Sequence, residues 1–571
     1  MPYTSCKVHM EFVDVSASAD STVSSENNAD IGNITLMKEK AEYPLYAVPD
    51  LNSFILDGSR QILSDTSKIP FISDQVSNTQ CLFEENPMFS VEFTQQHTSV
   101  GIMLFFLEDY PAEITVIWYN LSGEKLASET YFPDGMKFFC RKQVPNYGKI
   151  EISFMRTRRP GQRIRCQYVK YGTEIDWTGE NIKEASLTEE VDVTGATIPI
   201  NTAEISIVDV ANDFGLDNQS GIWKSIQKYQ ELTIVEEVMD KEVLCGTLYI
   251  NTWQSDRNIV SFSLVDRIGM LDNTKFYHGK VYEDVLAGDI IDSIMDSAGV
   301  DDYYVAEEVR SIPITGYLPI CTHREAIQQV IFACGAVTDC SRTGIIRIYM
   351  PDRYADSTIG IDRKFMGTKV EMDEYVSGVS ISYSRYKLKD EAEEAFNDTL
   401  PAGESLIEFT DPYTELEASG GSMLDSGTNY VCILMAEAGE CTICGKRYES
   451  NTITYTATVD RIEAGEVENI QSYSGCTLVN TVRVKEIAER LLRYYQLRQI
   501  VNLRYLLNTE RTGEWVNIMD IHGNMVTSEI ASQTIDLSGG FIADAVCRGY
   551  SVVTSSNAYT GEIFAGEREM I

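Results

Sequence analysis

Alternation of apolar and polar residues, the period-two pattern of half-buried strands, dominates this sequence. It is clearest at residues 89–93, 113–119 and 203–208, where aromatic and β-branched side chains fill the apolar positions. An uninterrupted apolar run at 100–106 is typical of a strand that is buried on both faces. The short spacing of these segments, with polar turns between them, predicts sandwiches or barrels.

Helical patterns occur in the middle of the chain and near its end. Residues 289–298 place their apolar side chains on one helical face. Thr322 and Glu325 have the spacing of a capping box, which predicts that a second helix starts there. A third helix is predicted at 482–498.

The segment after the third helix predicts strands and turns that close a β domain, and not an active site. Residues 515–518 and 526–530 alternate as strands, with a turn predicted at 522–524. The sequence DLSGG at 536–540 is a tight glycine-rich turn. A strand at 376–383 is assigned to the same closing domain. The strand-rich segment at 402–470, which separates this strand from the third helix, is therefore interpreted as an insertion.

These patterns predict a mainly β, α+β multidomain protein: a jelly-roll sandwich, then two β barrels separated by an α/β piece. The length of 571 residues fits several domains of about 150 residues each. The predicted parts are an N-terminal extended segment at 1–75, a β sandwich at 76–172, a first barrel at 173–275, an α/β domain at 276–360, a second barrel at 361–401 and 471–571, and a β insertion at 402–470.

The net charge of −39 allows two interpretations. Acidic chains repel one another and stay dispersed, so the charge favours solubility. An acidic wall would also let DNA slide through a channel, whereas a basic wall would hold its phosphates by counterion release. The one basic cluster, at 156–165, has no interleaved aromatic residues and is interpreted as a solvated or inter-subunit face. Sequence-specific nucleic-acid binding is therefore not predicted.

The sequence predicts no catalytic, cofactor-binding or metal-binding residues, and hence no enzyme and no cofactor. The zinc-protease, serine-hydrolase, calcium-loop and phosphate-loop motifs are missing, and Arg447 stands where a phosphate loop needs Ser or Thr. Asp57 to Ser59 fits a simple turn. Cys441 and Cys444 form the one CxxC pair, without the second pair or paired histidines that zinc requires. The thirteen cysteines are expected to be reduced, buried thiols.

The order of several motifs resembles that of baseplate hub, or tail-associated (Tal-like), proteins of bacteriophages and phage-like tails. The motifs are SFILDGSRQIL from residue 53, HTSVGIMLFF from 97, YPAEITVIWYNLSGEKL from 110, INTAEISIVDVANDF from 200, CTHREAIQQVIFACGAVTDCSRTGIIRIY from 321 and IAERLLRYYQLRQIVNLRYLL from 487. The resemblance extends over nearly the whole chain. It implies a galactose-binding-like jelly roll at 76–172 and two tail-tube-like barrels flanking the α/β piece.

The resemblance also implies a function. A hub protein of this family is a structural protein of the virion tail tip, or baseplate, assembled in the cytoplasm of the bacterial host. Its homotrimer presents six tube-like barrels in a ring, which joins the tail tube to the tip and lets DNA pass. The implied partners are two further copies, a distal tail or tail-tube protein, a tape measure protein and tail spike or fibre proteins.

Two alternatives remain open from the sequence. The first is a carbohydrate-binding tail adhesin that stacks a host-surface carbohydrate on Trp118, Tyr119, Tyr131 and Trp177, although aromatic residues in strands more often belong to a core. The second is a tail-associated wall hydrolase or depolymerase. Many relatives carry a lytic domain after the hub, but Ile571 follows closely on the last predicted strand, so wall-degrading activity is not expected.

Overall fold

The computed structural model describes residues 4–38, 46–47, 61–62, 70–107, 110–210, 212–215, 217–218, 221–226, 229–238, 241–463, 465–520 and 524–552. The chain divides into a large unit (Met1–Val8, Trp177–Ala211 and Glu231–Ile571) and a small unit (His9–Asp176 and Asn212–Gln230). Both are built mainly of strands, which confirms the predicted fold class. Most of the motif that starts at residue 53 and most of the turn predicted at 522–524 lie outside the described residues.

The small unit contains one seven-stranded sheet, in the order β5-β10-β6-β9-β7-β8, with β2 also paired to β6. Its elements are β1 (Thr4–Val13, which begins in the large unit), α1 (Val15–Asp20), β2 (Thr22–Ser24), β3 (Tyr46–Ala47), β4 (Gln61–Ile62), β5 (Phe71–Ile72), β6 (Met88–Phe106), β7 (Glu113–Tyr119), β8 (Lys125–Tyr131), β9 (Lys137–Arg156), β10 (Arg165–Lys170) and β11 (Gly172–Trp177). Because β2 and β5 join this sheet, it contains residues that precede position 76 in the sequence.

The long strands β6 and β9 pair along most of their length and bend together. Their register shifts three times between Glu92 and Gly101, and such irregularities increase the local bend and twist. Gly101 has φ +150°, and a Cβ there would lie 2.3 Å from the carbonyl oxygen of Cys140. The bend encloses an aromatic core that includes Trp118. The jelly-roll assignment stays a prediction.

The large unit begins with a meander and an α/β region. The meander is β12 (Ile182–Glu190), β13 (Thr202–Val208), β14 (Glu231–Val238), β15 (Lys241–Asp256) and β16 (Ile259–Val265). The α/β region is α2 (Arg267–Met270), β17 (Lys275–Phe276), β18 (Val281–Leu286), α3 (Ala287–Ala298), β19 (Tyr303–Val305), α4 (Glu307–Arg310), β20 (Pro313–Tyr317), β21 (Cys321–Thr322), α5 (His323–Cys334), β22 (Val337–Asp339) and β23 (Ile346–Tyr349).

The rest of the large unit is again rich in strands. Its elements are β24 (Ala355–Ile359), β25 (Lys369–Met372), β26 (Gly378–Leu400), β27 (Gly403–Glu408), β28 (Tyr413–Ser419), β29 (Ser422–Ser426), β30 (Tyr430–Met435), β31 (Gly439–Thr458), β32 (Ile470–Cys476), α6 (Arg483–Tyr495), β33 (Gln499–Leu506), β34 (Trp515–Met519), β35 (Met525–Asp536) and β36 (Ile542–Val552). Short 3-10 helices lie at Ile34–Lys38, Ile222–Ser225 and Ile361–Arg363. No helix of the described residues is long and apolar enough to cross a membrane.

The meander and the closing strands form one continuous sheet. Its order in the large unit is β14-β15-β16-β13-β12-β35-β36-β33-β25, and β34 and β24 extend it beside β35. The two parts meet where β12 pairs antiparallel with β35, from Ser186 opposite Asp536 to Glu190 opposite Ser532. We call this pairing the seam. The two predicted barrels therefore share hydrogen-bonded strands.

The predicted helices are confirmed. The helix α3 buries Ile290, Ile291, Ile294 and Met295 in a core shared with α5 and α6. The start of α5 has both halves of the predicted capping box, since the Thr322 hydroxyl accepts from the Glu325 N–H and the Glu325 carboxylate accepts from the Thr322 N–H.

The capping box makes a measurable contribution to stability. Replacing Thr322 by alanine removes the acceptor for the Glu325 N–H, so we expect the free energy of unfolding to fall by about 1 kcal/mol. Thr322→Ser keeps the hydroxyl and should stay within a few tenths of the parent. Chemical denaturation of the three proteins measures the difference, and an equal loss in both variants would contradict it.

The strand predicted at 376–383 differs from expectation in length and partners. It is the start of β26, which continues to Leu400 and pairs with β31 and β32 in the four-stranded sheet β28-β31-β26-β32. It packs on α6 through Val379 and Ile381, but no strand of the continuous sheet pairs with it among the described residues. A second, three-stranded sheet, β27-β30-β29, completes the region predicted as an insertion.

Candidate functional site

Around the seam, the continuous sheet of the large unit has one buried face and one more solvated face. Side chains alternate along each strand, so every second residue of a strand lies on the same face. The buried face carries Ala185 and Leu187 on β12, Ala203, Ile205 and Ile207 on β13, Val260, Phe262 and Leu264 on β16, and Ile535 on β35. The residues between them on these strands are half-buried or exposed.

Small hydroxyl side chains and carboxylates cover the solvated face. One row across the seam is Thr202, Thr188, Thr534 and Asp544, each opposite the next on neighbouring strands. A second row is Ser263, Glu204, Ser186 and Asp536. We define the hydroxyl face as these two rows together with Ser206 and Ser261.

Hydrogen bonds between neighbouring strands hold these side chains. The Thr188 and Thr534 hydroxyl oxygens are 3.2 Å apart across the seam, and those of Ser206 and Ser261 are 2.9 Å apart. The Ser263 hydroxyl donates to the Glu204 carboxylate at 2.7 Å. The charged members of the hydroxyl face, Glu204, Asp536 and Asp544, are acidic, and Arg504 of β33 borders the face with its Nε 3.9 Å from Oδ1 of Asp544.

A buried polar network crosses the seam on the opposite face of the sheet. Glu189 of β12 is fully buried, and its carboxylate accepts from Arg342 Nε at 3.2 Å and from Gln533 Nε2 at 2.8 Å. The Tyr505 hydroxyl donates to Gln533 Oε1 at 3.0 Å, and Arg342 also donates to the carbonyl of Glu510. Burial raises the pKa of Glu189, while the neighbouring guanidinium opposes that rise. The network fixes β12, β33 and β35 to one another.

A second ion pair supports the same region. Arg363 donates two hydrogen bonds to the Glu510 carboxylate, at 2.7 and 2.9 Å. Burial raises the pKa of Glu510, but the hydrogen bonds and charge of Arg363 act in the opposite direction, and the pKa lies below its ordinary value. Bidentate pairs of this kind fix geometry as well as charge. The sequence-based interpretation identified none of these residues.

The aromatic residues weighed for sugar stacking are mostly unavailable. Trp118 is fully buried in the small unit, and Trp177 is 7% exposed and packs on Phe262, with ring centroids 5.8 Å apart. The hydroxyls of Tyr119 and Tyr131 donate to Glu151 and to the Arg141 carbonyl. The two tryptophans therefore cannot stack on a sugar, whereas Tyr119 and Tyr131 are half-buried.

The basic cluster at 156–165 is only partly the solvated face that was predicted. Arg158 is exposed and stacks 4.4 Å above the Tyr110 ring. Arg163 instead donates to the carbonyls of Ser73 and Asp74, and Arg165 is buried. Arginines in the second half of the cluster hold the fold of the small unit.

The candidate metal-binding residues do not assemble into a compelling centre. Cys441 is buried and Cys444 half-buried on β31, and burial raises the pKa of Cys441. Among the described residues, one cluster has ligand atoms close enough for an ion: His9, Glu11 and Glu174. There the Lys170 ammonium lies 2.6 Å from Glu11 and 2.5 Å from Glu174 and already supplies the positive charge.

No family model and no curated protein matches this sequence. Three similar solved structures are tail proteins. The tail protein from Neisseria meningitidis MC58 has a TM-score of 0.41 and 10% identity over 66% of this chain and 93% of its own. The 43 kDa tail protein of prophage MuSo2 from Shewanella oneidensis has a TM-score of 0.39 and 10% identity over 65% of this chain and 94% of its own. A prophage tail protein from Listeria monocytogenes EGD-e has a TM-score of 0.38 and 8% identity over 66% of this chain and 91% of its own. At TM-scores below 0.5 these similarities do not establish a shared fold.

Proposed function

We propose that this chain is a structural baseplate hub protein of a phage or phage-like tail, whose hydroxyl face lines the passage for DNA. The observation that carries the proposal is the continuous sheet, with its solvated face of hydroxyls and carboxylates extending across the seam. The motif order of the hub family supports the same function. The chain then acts as a conduit and a joint, without catalysis.

The chemistry of the hydroxyl face suits a sliding polyanion. Proteins bind DNA mainly by placing cations against its phosphates and releasing counterions. Carboxylates repel phosphate, and short hydroxyl side chains offer neither deep pockets nor stacking surfaces. DNA that touches such a wall would be released again quickly.

The conduit is tested by placing cations on the hydroxyl face. We expect the double variant Thr188→Lys/Thr534→Lys to assemble into particles but to deliver DNA more slowly, because the lysines hold phosphates. The matched control, Ser419→Lys/Ser426→Lys, adds the same charge to exposed positions of the insertion. Delivery is measured as the rate of genome entry per assembled particle.

Three outcomes would count against the conduit. They are an equal slowing by the control, an unchanged rate in the face variant, and micromolar binding of duplex DNA by the parent protein at low salt. A gel in which the purified chain clears peptidoglycan would instead favour the wall hydrolase.

The ring itself requires three chains, and the sheet offers an edge for their association. Within the described part of the chain, β25 pairs with β33 on one side only, and its exposed side chains include Val370 and Met372, with Met366 just before them. An apolar open edge is usually covered in the assembled state. We propose that this edge is covered by a neighbouring copy in a closed homotrimer.

Light scattering tests the trimer. Three chains of 64.1 kDa give a mass of about 192 kDa (3 × 64.1). We expect Val370→Lys/Met372→Lys to yield the single-chain mass, because two charges would be desolvated at the contact. Leu424→Lys, at an exposed position of the insertion, should leave the mass unchanged. A parent that stays monomeric at physiological salt, with tail-tube and tape measure partners present, would contradict the ring.

A further inference from the structure

One histidine joins both ends of the first helix of the small unit to the sheet beneath it. The helix α1 follows Asp14, ends at Asp20 and lies against β6, which carries His97. The His97 side chain is only 5% exposed. Its Nδ1 is 3.3 Å from Asp14 Oδ2, and its Nε2 is 3.0 Å from Asp20 Oδ2. We call His97 with these two carboxylates the clamp.

The contacts of the two ring nitrogens indicate the charge of His97. A neutral imidazole has one N–H donor and one acceptor, whereas both nitrogens of the imidazolium donate. The Ser16 hydroxyl lies 3.3 Å from His97 Nδ1, but it donates its hydrogen to Asp14 Oδ1 at 2.5 Å. Acceptors therefore face both nitrogens, an arrangement that fits the charged ring.

The two carboxylates of the clamp are held in place as acceptors. Asp20 accepts from the Thr94 hydroxyl and from the backbone N–H groups of Thr94 at 2.8 Å and Gln95 at 3.0 Å. The bond from the Thr94 hydroxyl, and then that from His97, lower the pKa of Asp20. Asp14 caps α1, since its Oδ1 accepts from a backbone N–H of the first turn at 3.0 Å. Asp20 is therefore an anion, and Asp14 is tied to the start of the helix.

The imidazole otherwise packs on aromatic rings of the small unit's core. Its centroid is 5.1 Å from that of Phe93 and 6.2 Å from that of Tyr147 on β9. Among the described residues, Asp14, Asp20 and Tyr147 are the titratable groups that hydrogen-bond or stack with the imidazole. Burial raises the pKa of Tyr147, so its hydroxyl stays neutral. Ala17 of α1 is fully buried in the same core, so α1 covers it like a lid.

We propose that the clamp is a pH-sensitive switch, in which the imidazolium of His97 holds both ends of α1 and loss of its Nδ1 proton to solvent frees the end at Asp14. Histidine is the side chain that ordinarily changes charge between about pH 5 and 8. In the neutral ring the Nδ1 lone pair faces the Asp14 carboxylate and repels it. The Ser16 hydroxyl can then turn from Asp14 to Nδ1, which removes a second contact of the cap. The start of α1 is held at lower pH and released as pH rises, whether or not the chain forms the proposed trimer or passes DNA.

Hydrogen–deuterium exchange of the full-length protein, read by mass spectrometry, tests the clamp. Protection factors, which correct for the pH dependence of intrinsic exchange, are measured for peptides covering 14–24. Peptides from β7 in the same unit serve as the reference. Between about pH 5.5 and about pH 9, we expect the protection of 14–24 relative to β7 to fall at least about tenfold. This factor is typical of the loss of one hydrogen bond to a charged group.

Three variants separate the clamp from general damage to the fold. Asparagine caps helices as well as aspartate, and its amide can donate to the neutral ring, so Asp14→Asn should keep α1 protected at both pH values and lose the step. His97→Gln should also lose the step, with low protection throughout. The control His278→Gln removes an exposed histidine elsewhere and should retain it. A parent protein without the step, a step that survives in Asp14→Asn or His97→Gln, or its loss in the control would overturn the proposal.

Discussion

Replacing Arg342 by methionine is expected to lower the free energy of unfolding by about 3–5 kcal/mol. Methionine retains most of the volume of the side chain but leaves Glu189 fully buried without its cation. The carboxyl must then either stay charged in an apolar site or take up a proton, and both cost free energy. Chemical denaturation at pH 7, followed by tryptophan fluorescence, measures the loss.

Two further variants separate the buried charge from general damage. Glu189→Gln/Arg342→Met removes both charges and should recover part of the stability, because no ion is left unpaired. Arg504→Met breaks an exposed contact with Asp544 and should cost no more than about 1 kcal/mol. A loss in Arg342→Met no larger than that in Arg504→Met would show that the network does not stabilise the seam.

A variant at Glu236 is expected to be more stable than the parent protein at alkaline pH. Glu236 is fully buried on β14, and burial raises the pKa of Glu236 to about 7, although the Thr4 side chain opposes this rise. Because this value lies above that of the unfolded chain, the stability contributed by the proton is complete at acid pH. It is lost as pH rises from about 4.5 to about 7.

Glu236→Gln should remove this pH dependence. We expect little difference from the parent near pH 4.5 and a gain of up to about 3 kcal/mol at pH 8. Glu237→Gln changes the adjacent, exposed residue and should follow the pH profile of the parent. The measurement is the free energy of unfolding at several pH values, and a gain in Glu236→Gln that is equal at both pH values would contradict the explanation.

Local pattern was sufficient where the structure depends on local chemistry. The alternation at 203–208 corresponds to β13, and the capping residues and apolar spacing gave α5 and α3. These signals act within a few residues of one another, so a single sequence contains them in full. They identify elements and say little about which strand pairs with which.

Partners far apart in sequence account for what was not predicted. Residues 384–400 of β26 are rich in Glu, Lys and Ala, which are poor strand formers, yet pairing with β31 extends the strand through them. Strand propensity is weak beside such long-range pairing. The predicted strand therefore stopped near Tyr383.

The candidate site was predicted only in its general character. The net charge suggested an acidic wall, but which residues share the solvated face depends on the register of β12 with β35. One local signal of the network does exist. Ala185, Leu187 and Glu189 occupy alternate positions of β12, so the glutamate continues a row of buried apolar residues. An acid in such a row requires a buried partner.

The seam also has a consequence for synthesis of the protein on the ribosome. Thr188 and Thr534 lie opposite each other across the seam but are 346 positions apart in the sequence. The strand β12 therefore leaves the ribosome long before β35 has been synthesised. At translation rates of about 5–20 residues per second, its edge stays unpaired for roughly 20–70 s. During that interval neighbouring nascent chains on one messenger can pair with each other through it. A lower growth temperature, or a chaperone that holds the unpaired strand, should therefore raise the yield of soluble protein more than a substitution that stabilises the folded protein.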